Sequence, residues 1–242
     1  MTEATGSALP GIEKGILLPS SLEHARIATL PQTAYYIPNF ITEEEEEMIM
    51  GKISSAPKPR WKQLTKRRLQ TWPSDLVNNK LLDAPLPAWL QEPVISRLLS
   101  LQTQDSETGN VFDKSPHKKP NHVLINEYPP GIGIMPHKMV LRTGPFKDDG
   151  ALDPEPAWRI LQEPRSLLIT TDQLYTDYLH GISDIEEDID LSADTVANWD
   201  LLRSPDAYTS GRNVRQTRTS LTYRDVLQVS KAGNKLGMFL KR

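Results

Sequence analysis

This 242-residue chain has no cysteine and no long apolar run, and one long stretch of it has no acidic residue. Without cysteine, neither disulfides nor thiolate metal sites can form. No run approaches the roughly 18 apolar residues of a membrane span, and the opening MTEATGSALP lacks the apolar core of a signal peptide. We therefore expect an intracellular protein, cytoplasmic or nuclear, with no membrane partner, and we expect a monomer.

Overall composition favours one strand-rich domain with peripheral additions. The length is sufficient for a substantial core, and 20 prolines are typical of a loop-rich architecture built on strands. A net charge of −3 argues against a wholly basic nucleic-acid coat, although it leaves room for a local basic patch.

The stretch from Met48 to Ser74 has no acidic residue. Its cations are interleaved with two tryptophans; the set is Lys52, Lys58, Arg60, Trp61, Lys62, Lys66, Arg67, Arg68 and Trp72. Cations neutralise phosphates and aromatic rings stack on bases, so this composition suits a nucleic-acid groove. The alternative is an ordinary basic surface on which the tryptophans anchor a loop.

Two helices are predicted before position 102. Thr42 is a good N-cap for a helix whose first turn, Glu43 to Glu47, places negative charge on the positive end of the helix dipole. The run from Pro85 to Leu101 has an apolar face that should buttress a sheet. Gln102 to Pro120 is polar and indicates a loop, and its His117 is flanked by lysines that disfavour a metal ion.

A short apolar run from His122 to Tyr128 predicts a buried strand, in which His122 is packed rather than catalytic. Pro129, Pro130, Gly131 and Gly133 then force a turn that ends near His137. Close to the C-terminus, TRTSLTYR predicts a second strand. Its period of two places Arg218, Ser220, Thr222 and Arg224 on one face, and Thr219, Leu221 and Tyr223 on the other.

Asn-x-Tyr, a Pro/Gly turn, His137, a later His180 and an R-x-S-x-T-x-R strand resemble the AlkB family of Fe(II)/2-oxoglutarate dioxygenases. APKPRWKQL followed by RRLQTWP resembles the branch of sixth AlkB homologues. The resemblance implies a double-stranded β-helix (a jelly roll) with flanking helices. It also implies oxidative demethylation or hydroxylation, in which decarboxylation of 2-oxoglutarate is coupled to hydroxylation of a substrate C–H bond.

The same resemblance implies the residues of the site. His137 and His180 are the implied iron ligands. Asn126, Tyr128, Arg218 and Arg224 are implied to bind 2-oxoglutarate, because a guanidinium pairs with a carboxylate through two hydrogen bonds. The substrate lid would include Lys58, Arg60, Trp61, Lys66, Arg67, Arg68 and Trp72, with RNA, DNA or a methylated protein as the partner.

One departure from the family pattern concerns the third iron ligand. The family has Asp two residues after the first histidine, where this chain has Met139, whose neutral, soft thioether is a poor ligand for Fe(II). Asp148, Asp149 and Asp153 are candidate substitutes. The 27 residues from Lys138 to Pro164 are also too few, and too rich in proline and glycine, for the core strands expected there.

We therefore predict a partly disordered tail at residues 1–32 and an AlkB-like domain at residues 33–242. The domain divides into lid and helical support (33–120), a β-helix core (121–230) with an acidic surface insertion (183–211), and a basic terminal segment (231–242). Because the Asp ligand and adjacent strands are missing, activity should be impaired or absent. The alternatives are a non-catalytic relative that binds nucleic acid or protein, and a shortened splice form or gene model of an active enzyme.

Overall fold

The computed structural model describes residues 16–30, 33–103, 109–132, 140–141, 157–176, 178 and 180–230. Twelve strands are present in this part of the chain: β1 Ala34–Ile37, β2 Lys62–Gln63, β3 Arg68–Trp72, β4 Leu81–Leu82, β5 His122–Tyr128, β6 Val140–Leu141, β7 Trp158–Arg159, β8 Leu167–Thr170, β9 Glu187–Asp188, β10 Asn213–Val214, β11 Arg218–Arg224 and β12 Val229–Ser230.

Four α-helices accompany these strands, α1 Glu43–Ser54, α2 Ala88–Gln91, α3 Val94–Leu99 and α4 Asp172–Thr176. Four 3-10 helices lie at Leu22–Ala25, Lys58–Arg60, Trp199–Leu201 and Pro205–Tyr208. The predicted second helix is divided, because Pro93 cannot continue the hydrogen-bonded ladder from α2 into α3. None of these helices is long and apolar enough to cross a membrane.

The largest sheet contains β11, β5, β3 and β2 in that order, and every neighbouring pair is antiparallel. β1 pairs with β8, β9 with β10, and β6 with β7, all antiparallel, whereas β12 and β4 are parallel. The described residues thus form a mixed, strand-rich fold with few helices, as expected for a mainly β protein.

The N-terminus of α1 forms as predicted. The Thr42 hydroxyl accepts a hydrogen bond from the Glu45 amide (3.1 Å), and the Glu45 carboxylate accepts one from the Thr42 amide (2.8 Å), which completes a capping box. Arg97 of α3 binds the same carboxylate through two hydrogen bonds of 2.8 and 2.9 Å. This ion pair fixes α1 against α3.

Two hydrophobic clusters hold the elements together. The first, here called the helical core, lies between the helices and the sheet; it comprises Leu22, Ala25, Ile37, Phe40, Ile49, Ile53, Leu86, Leu90, Val94, Ile95, Leu98, Leu101, Val123, Ile125 and Ile169. The predicted buttressing of the sheet by the 85–101 run is confirmed. The second core comprises Ile27, Leu30, Ala34, Tyr36, Ile160, Leu174 and Leu202.

Two peripheral segments of the sequence contribute buried side chains to the packed structure. Residues 16–30 were expected in a partly ordered tail, but Leu22 and Ala25 lie in the helical core and Ile27 and Leu30 in the second core; residues 1–15 lie outside the described residues. The segment 183–211 was expected to be a surface insertion. Its buried side chains, which include Leu191, Val196, Asn198 and Leu202, make it part of the packed structure.

The break in the family pattern is spanned by a small hairpin. β6 pairs with β7 over two residue pairs, Val140 with Arg159 and Leu141 with Trp158. Both strands lie within the short, proline-rich interval from Lys138 to Pro164. Most of the residues between the two strands, like the basic terminal segment, lie outside the described part of the chain.

Candidate binding face on strands β5 and β11

The pairing of β5 with β11 brings the predicted ligand-binding residues onto one face of the sheet. Tyr128 lies opposite Arg218, Asn126 opposite Ser220, and His122 opposite Arg224. On the other face, Val123 and Ile125 belong to the helical core, against which Leu221 and Tyr223 pack. The predicted two-residue alternation of β11 is therefore confirmed.

Arg218 and Tyr128 form the end of this face near the β5 carboxyl terminus. The Arg218 guanidinium carbon lies 5.9 Å from the Tyr128 ring centre, and its Nη2 donates a 2.5 Å hydrogen bond to the Gln162 amide oxygen. Loss of water on burial lowers the pKa of Arg218, an effect that Tyr128 opposes and Arg215 reinforces. Within the described residues, Arg218 has no carboxylate at ion-pair distance.

Asn126 and Tyr128 are both buried in the same region. Burial raises the pKa of Tyr128, while the cations Arg67 and Arg218 and a hydrogen bond with Ser220 act in the opposite direction. Asn126 is 4% exposed, and its side-chain oxygen has no hydrogen-bond partner among the described groups. A buried polar atom without a partner is energetically costly, and it marks a position where a bound ligand would be stabilising.

Arg224 lies at the opposite end of the strand from Arg218. Six residues separate them, which corresponds to about 20 Å along an extended strand. The Arg224 Nε donates to His122 Nδ1 over 3.3 Å. His122 is fully buried as predicted, and desolvation, followed by the Arg224 charge, lowers its pKa to about 4. The two arginines therefore do not converge on one point.

Of the two predicted iron ligands, only His180 is among the described residues. It lies after α4 and is exposed, but partial burial of its ring lowers its pKa, and a hydrogen bond with the Leu174 backbone opposes that change. A lowered pKa favours the neutral ring, which is the form that binds a metal ion. His137, Met139, Asp148, Asp149 and Asp153 lie outside the described residues.

Where side chains are described, no three His, Asp or Glu residues form a cluster that could hold a metal ion. His117 is engaged elsewhere: its Nδ1 lies 2.5 Å from the buried carboxylate of Asp225. That contact, rather than a metal, explains its position.

Several cations of the basic segment from Met48 to Ser74 contact other groups of the chain. The Arg60 guanidinium lies 4.1 Å from the Trp72 ring centre and donates to the carbonyls of Thr71 and Pro73. Trp61 and Trp72 both pack against the helical core. In this respect the tryptophans act as anchors for the β2–β3 hairpin.

Three further cations of the segment form ion pairs. Lys62 lies 2.5 Å from Asp75 and Lys66 2.7 Å from Asp184. Arg68 binds both oxygens of Glu127, at 2.6 and 2.9 Å, and lies over the Trp61 ring at 4.1 Å. A phosphate on this surface would have to compete with these carboxylates. Neither Lys58 nor Arg67 has a carboxylate partner in the described structure.

Sequence reasoning did not identify Gln162 or the position of Arg67 near Tyr128. Gln162 follows the short strand β7, and no local pattern indicates that it would contact Arg218, 56 residues later. Arg67 was assigned to the lid together with Arg68. Arg67 and Arg68 are adjacent, and the register of β3 against β5 determines which of them lies on the Tyr128 side of the sheet.

Comparison with known proteins agrees with the resemblance that the motifs suggested. No protein-family model matches the chain. It is 35% identical, over 240 aligned positions, to a Danio rerio protein named "Probable RNA/DNA demethylase ALKBH6"; the match covers 89% of this chain and 95% of that protein. The chain therefore belongs to the AlkB-like family, and ALKBH6 is the relative that establishes this.

A more distant relative is "Uncharacterized protein L905" of Acanthamoeba polyphaga mimivirus. It is 24% identical over 213 aligned positions, which cover 79% of this chain and 84% of the viral protein.

Proposed function

We propose that this chain is an AlkB-type protein that binds 2-oxoglutarate on the β5–β11 face but holds Fe(II) poorly, so that its demethylase activity is impaired. The observation that carries the proposal is the half-buried Arg218 guanidinium, which lies beside Tyr128 with an amide as its described hydrogen-bond partner. A charged group in that position is best stabilised by a carboxylate from a ligand.

The residues of this face fit one end of 2-oxoglutarate. Arg218 supplies a cationic fork, the Tyr128 hydroxyl stays protonated and can donate, and the Asn126 amide has hydrogen-bonding capacity to spare. Ser220 lies opposite Asn126 on the same face. Arg224, at the far end, would contact the ligand only if its side chain extended back along the strand.

The residues do not fit a complete iron site. The two candidate imidazoles, His137 and His180, lack the nearby carboxylate that would complete the three protein ligands of this enzyme class, since position 139 is methionine. Asp148, Asp149 and Asp153 are the remaining candidates for that ligand. No chemical step is therefore assigned to a metal in this chain.

The alignment with the Danio rerio relative supports a missing block of core. The match has 240 positions, yet 89% of this chain is only about 215 residues, so that about 25 aligned positions have no residue here. Missing positions in this number would account for an interval between His137 and Glu163 that is too short for its expected strands. We accordingly propose a jelly-roll core that is incomplete in this chain, as in a shortened form of an active enzyme.

Nucleic acid is the proposed substrate class, because the relative is named an RNA/DNA demethylase. The stacked Arg60–Trp72 and Arg68–Trp61 pairs on the lid segment could contact bases and phosphates. A protein that binds nucleic acid, or a methylated protein, without turnover is the second candidate. The internal pairing of Lys62, Lys66 and Arg68 favours weak over tight binding.

Ligand-dependent thermal stabilisation tests the 2-oxoglutarate site. At a hundredfold excess over Kd, bound ligand adds about 2.7 kcal/mol, or about 5–10 °C in Tm for a domain of this size. Arg218→Lys should lose most of that ligand-induced shift, because a point charge replaces a planar fork. Arg97→Lys, which alters a half-buried arginine bound to Glu45, is the control and should keep the shift. An unsubstituted protein that gains no stability from 2-oxoglutarate would contradict the proposal.

Iron-dependent release of succinate tests the second half of the proposal. The unmodified chain should release succinate barely above background in the presence of Fe(II). Met139→Asp alone should recover little, because the missing strands would still be absent, whereas insertion of the block with its aspartate should restore turnover. Robust, EDTA-sensitive turnover by the unmodified chain would show that the metal site is complete, with Asp148, Asp149 or Asp153 as the replacement ligand.

A further inference from the structure

Arg67 lies on the ligand-binding face of the sheet rather than on the outer surface of the lid hairpin. Its neighbour Arg68 pairs with Glu127 in the β3–β5 ladder and binds the Glu127 carboxylate on the opposite face. Since side chains alternate along a strand, Arg67 is directed to the side of Tyr128. Its guanidinium carbon lies 5.5 Å from the Tyr128 ring centre.

Tyr128 is thus flanked by two arginines, Arg67 immediately before β3 and Arg218 in β11. Arg67 approaches from the β3 side and Arg218 from β11, with guanidinium carbons 5.5 and 5.9 Å from the same ring centre. By these distances the two cations are no more than 11.4 Å apart. Both are close enough to affect the pKa of the Tyr128 phenol.

The charges of this pair are not balanced within the described part of the molecule. Lys62, Lys66 and Arg68, on the same hairpin, each form an ion pair, whereas neither Arg67 nor Arg218 has a carboxylate at ion-pair distance among the described residues. The Arg67 Nε is buried and has no hydrogen-bond partner there, and the same is true of the Asn126 side-chain oxygen. Two like charges beside a buried ring are unfavourable unless an anion lies between or beside them.

We infer that Arg67 is a ligand-binding residue, which with Arg218 forms a paired-arginine site against Tyr128 for a carboxylate group. The inference rests on the proposed function, with 2-oxoglutarate as the carboxylate source. A carboxylate fits better than a phosphate of nucleic acid, because the site lies against buried side chains of β5 and not on the exposed ion-paired surface of the hairpin.

The hairpin that carries Arg67 is linked by an ion pair to a second part of the chain. Arg67 is adjacent to Lys66, whose ion pair with Asp184 links the hairpin to the segment after His180. A ligand bound to Arg67 would add a second contact to this hairpin, which lies beside β5 in the same sheet. Binding of the small carboxylate and placement of the lid would be coupled through this one side chain.

Isothermal titration with 2-oxoglutarate on the full chain tests the inference, and the chain offers a matched control in the adjacent arginine. Arg67→Gln should weaken binding about tenfold or more, as expected for loss of a hydrogen bond to a charged group. Arg68→Gln should leave Kd within about twofold, although it removes the Glu127 ion pair, because exposed pairs contribute little. Arg67→Lys keeps the charge and should give an intermediate Kd.

The possible failures are distinguishable. If Arg218→Gln loses binding but Arg67→Gln does not, the assignment of Arg67 is overturned while the proposed function stands. If the unsubstituted protein does not bind 2-oxoglutarate, both are overturned. Inorganic phosphate serves as a competitor. If phosphate binds with a lower Kd than 2-oxoglutarate and its binding requires Arg67, the site is a phosphate site and the carboxylate assignment is overturned.

Discussion

Glu163 is the side chain whose replacement should most clearly reveal how the 183–211 segment is held. It is 4% exposed, and its carboxylate accepts hydrogen bonds from the backbone amides of Arg203 (2.7 Å) and Ser204 (3.0 Å) and from the Tyr36 hydroxyl (3.2 Å). Burial raises the pKa of Tyr36, so its phenol remains a donor. One carboxylate thus joins β1 to backbone amides that begin 40 residues after Glu163 itself.

The cost of removing that carboxylate can be worked out from these contacts. Glu163→Leu leaves two amides and one hydroxyl without an acceptor, and each buried donor left unpaired costs about 1–3 kcal/mol. Arg203 and Ser204 are only half-buried, so water offsets part of the loss. We expect about 3 kcal/mol in total, which lowers Tm by about 6–12 °C for a chain of this length.

Glu163→Gln separates charge from hydrogen bonding. It retains one oxygen acceptor but turns an amide NH₂ toward a backbone donor, so we expect a loss of about 1 kcal/mol. Glu187→Gln, at a partly exposed carboxylate paired with Arg212, is the control and should leave Tm nearly unchanged, because a solvated ion pair contributes little. Thermal unfolding followed by circular dichroism measures all three variants. At about 2–4 °C per kcal/mol, a Tm within about 2 °C of the parent corresponds to a loss of less than about 1 kcal/mol. That result for Glu163→Leu would show that the carboxylate does not hold this segment.

Two further predictions concern pH and nucleic acid. His122 has a folded pKa of about 4, below its unfolded value of about 6.5. Between these two pH values the unfolded state binds one more proton than the folded state. The free energy of unfolding therefore falls as pH drops from about 6.5 to 4, by up to about 3 kcal/mol. In urea titrations, His122→Gln, which can still accept from Arg224, should remove that part of the pH dependence; an identical slope in both proteins would contradict it. For RNA, Lys58→Gln with Lys66→Gln should weaken binding of a single-stranded oligonucleotide and reduce the salt slope by about 0.7 per lost phosphate contact. Unchanged affinity at every salt concentration would remove this surface from consideration.

The elements that could be predicted from sequence are those set by local patterns. Thr42 with Glu45 forms a capping box whatever lies beyond it, and the alternation of β11 follows from its own residues. The pairing of Arg218 with Tyr128 was implied only by resemblance to a family. The ladder between β5 and β11 supplies its physical basis, because directly opposite residues on antiparallel strands share a face.

The parts that could not be predicted depend on long-range contacts. Leu191, Val196 and Leu202 are separated by acidic and polar residues, so no periodicity marks their burial. Glu163 resembles any surface glutamate until the amides of Arg203 and Ser204 are brought to it. The position of Arg67 depends on register, since a slip of one residue would place it with Glu127 and direct Arg68 toward Tyr128.

The carboxylate-binding half of the proposed site is supported by longer strand pairings than the metal-binding half. The carboxylate-binding half is built on β5, which pairs over seven residues with β11 on one side and over five with β3 on the other. No residue of the shortened interval is needed for those ladders. His180, by contrast, follows the interval, where β6 and β7 contribute only two residue pairs, and isolated two-stranded ribbons are marginally stable. A loss of core between His137 and Glu163 should therefore impair the metal site while leaving Tyr128 and Arg218 in register, so that this chain can lose turnover and still bind the carboxylate.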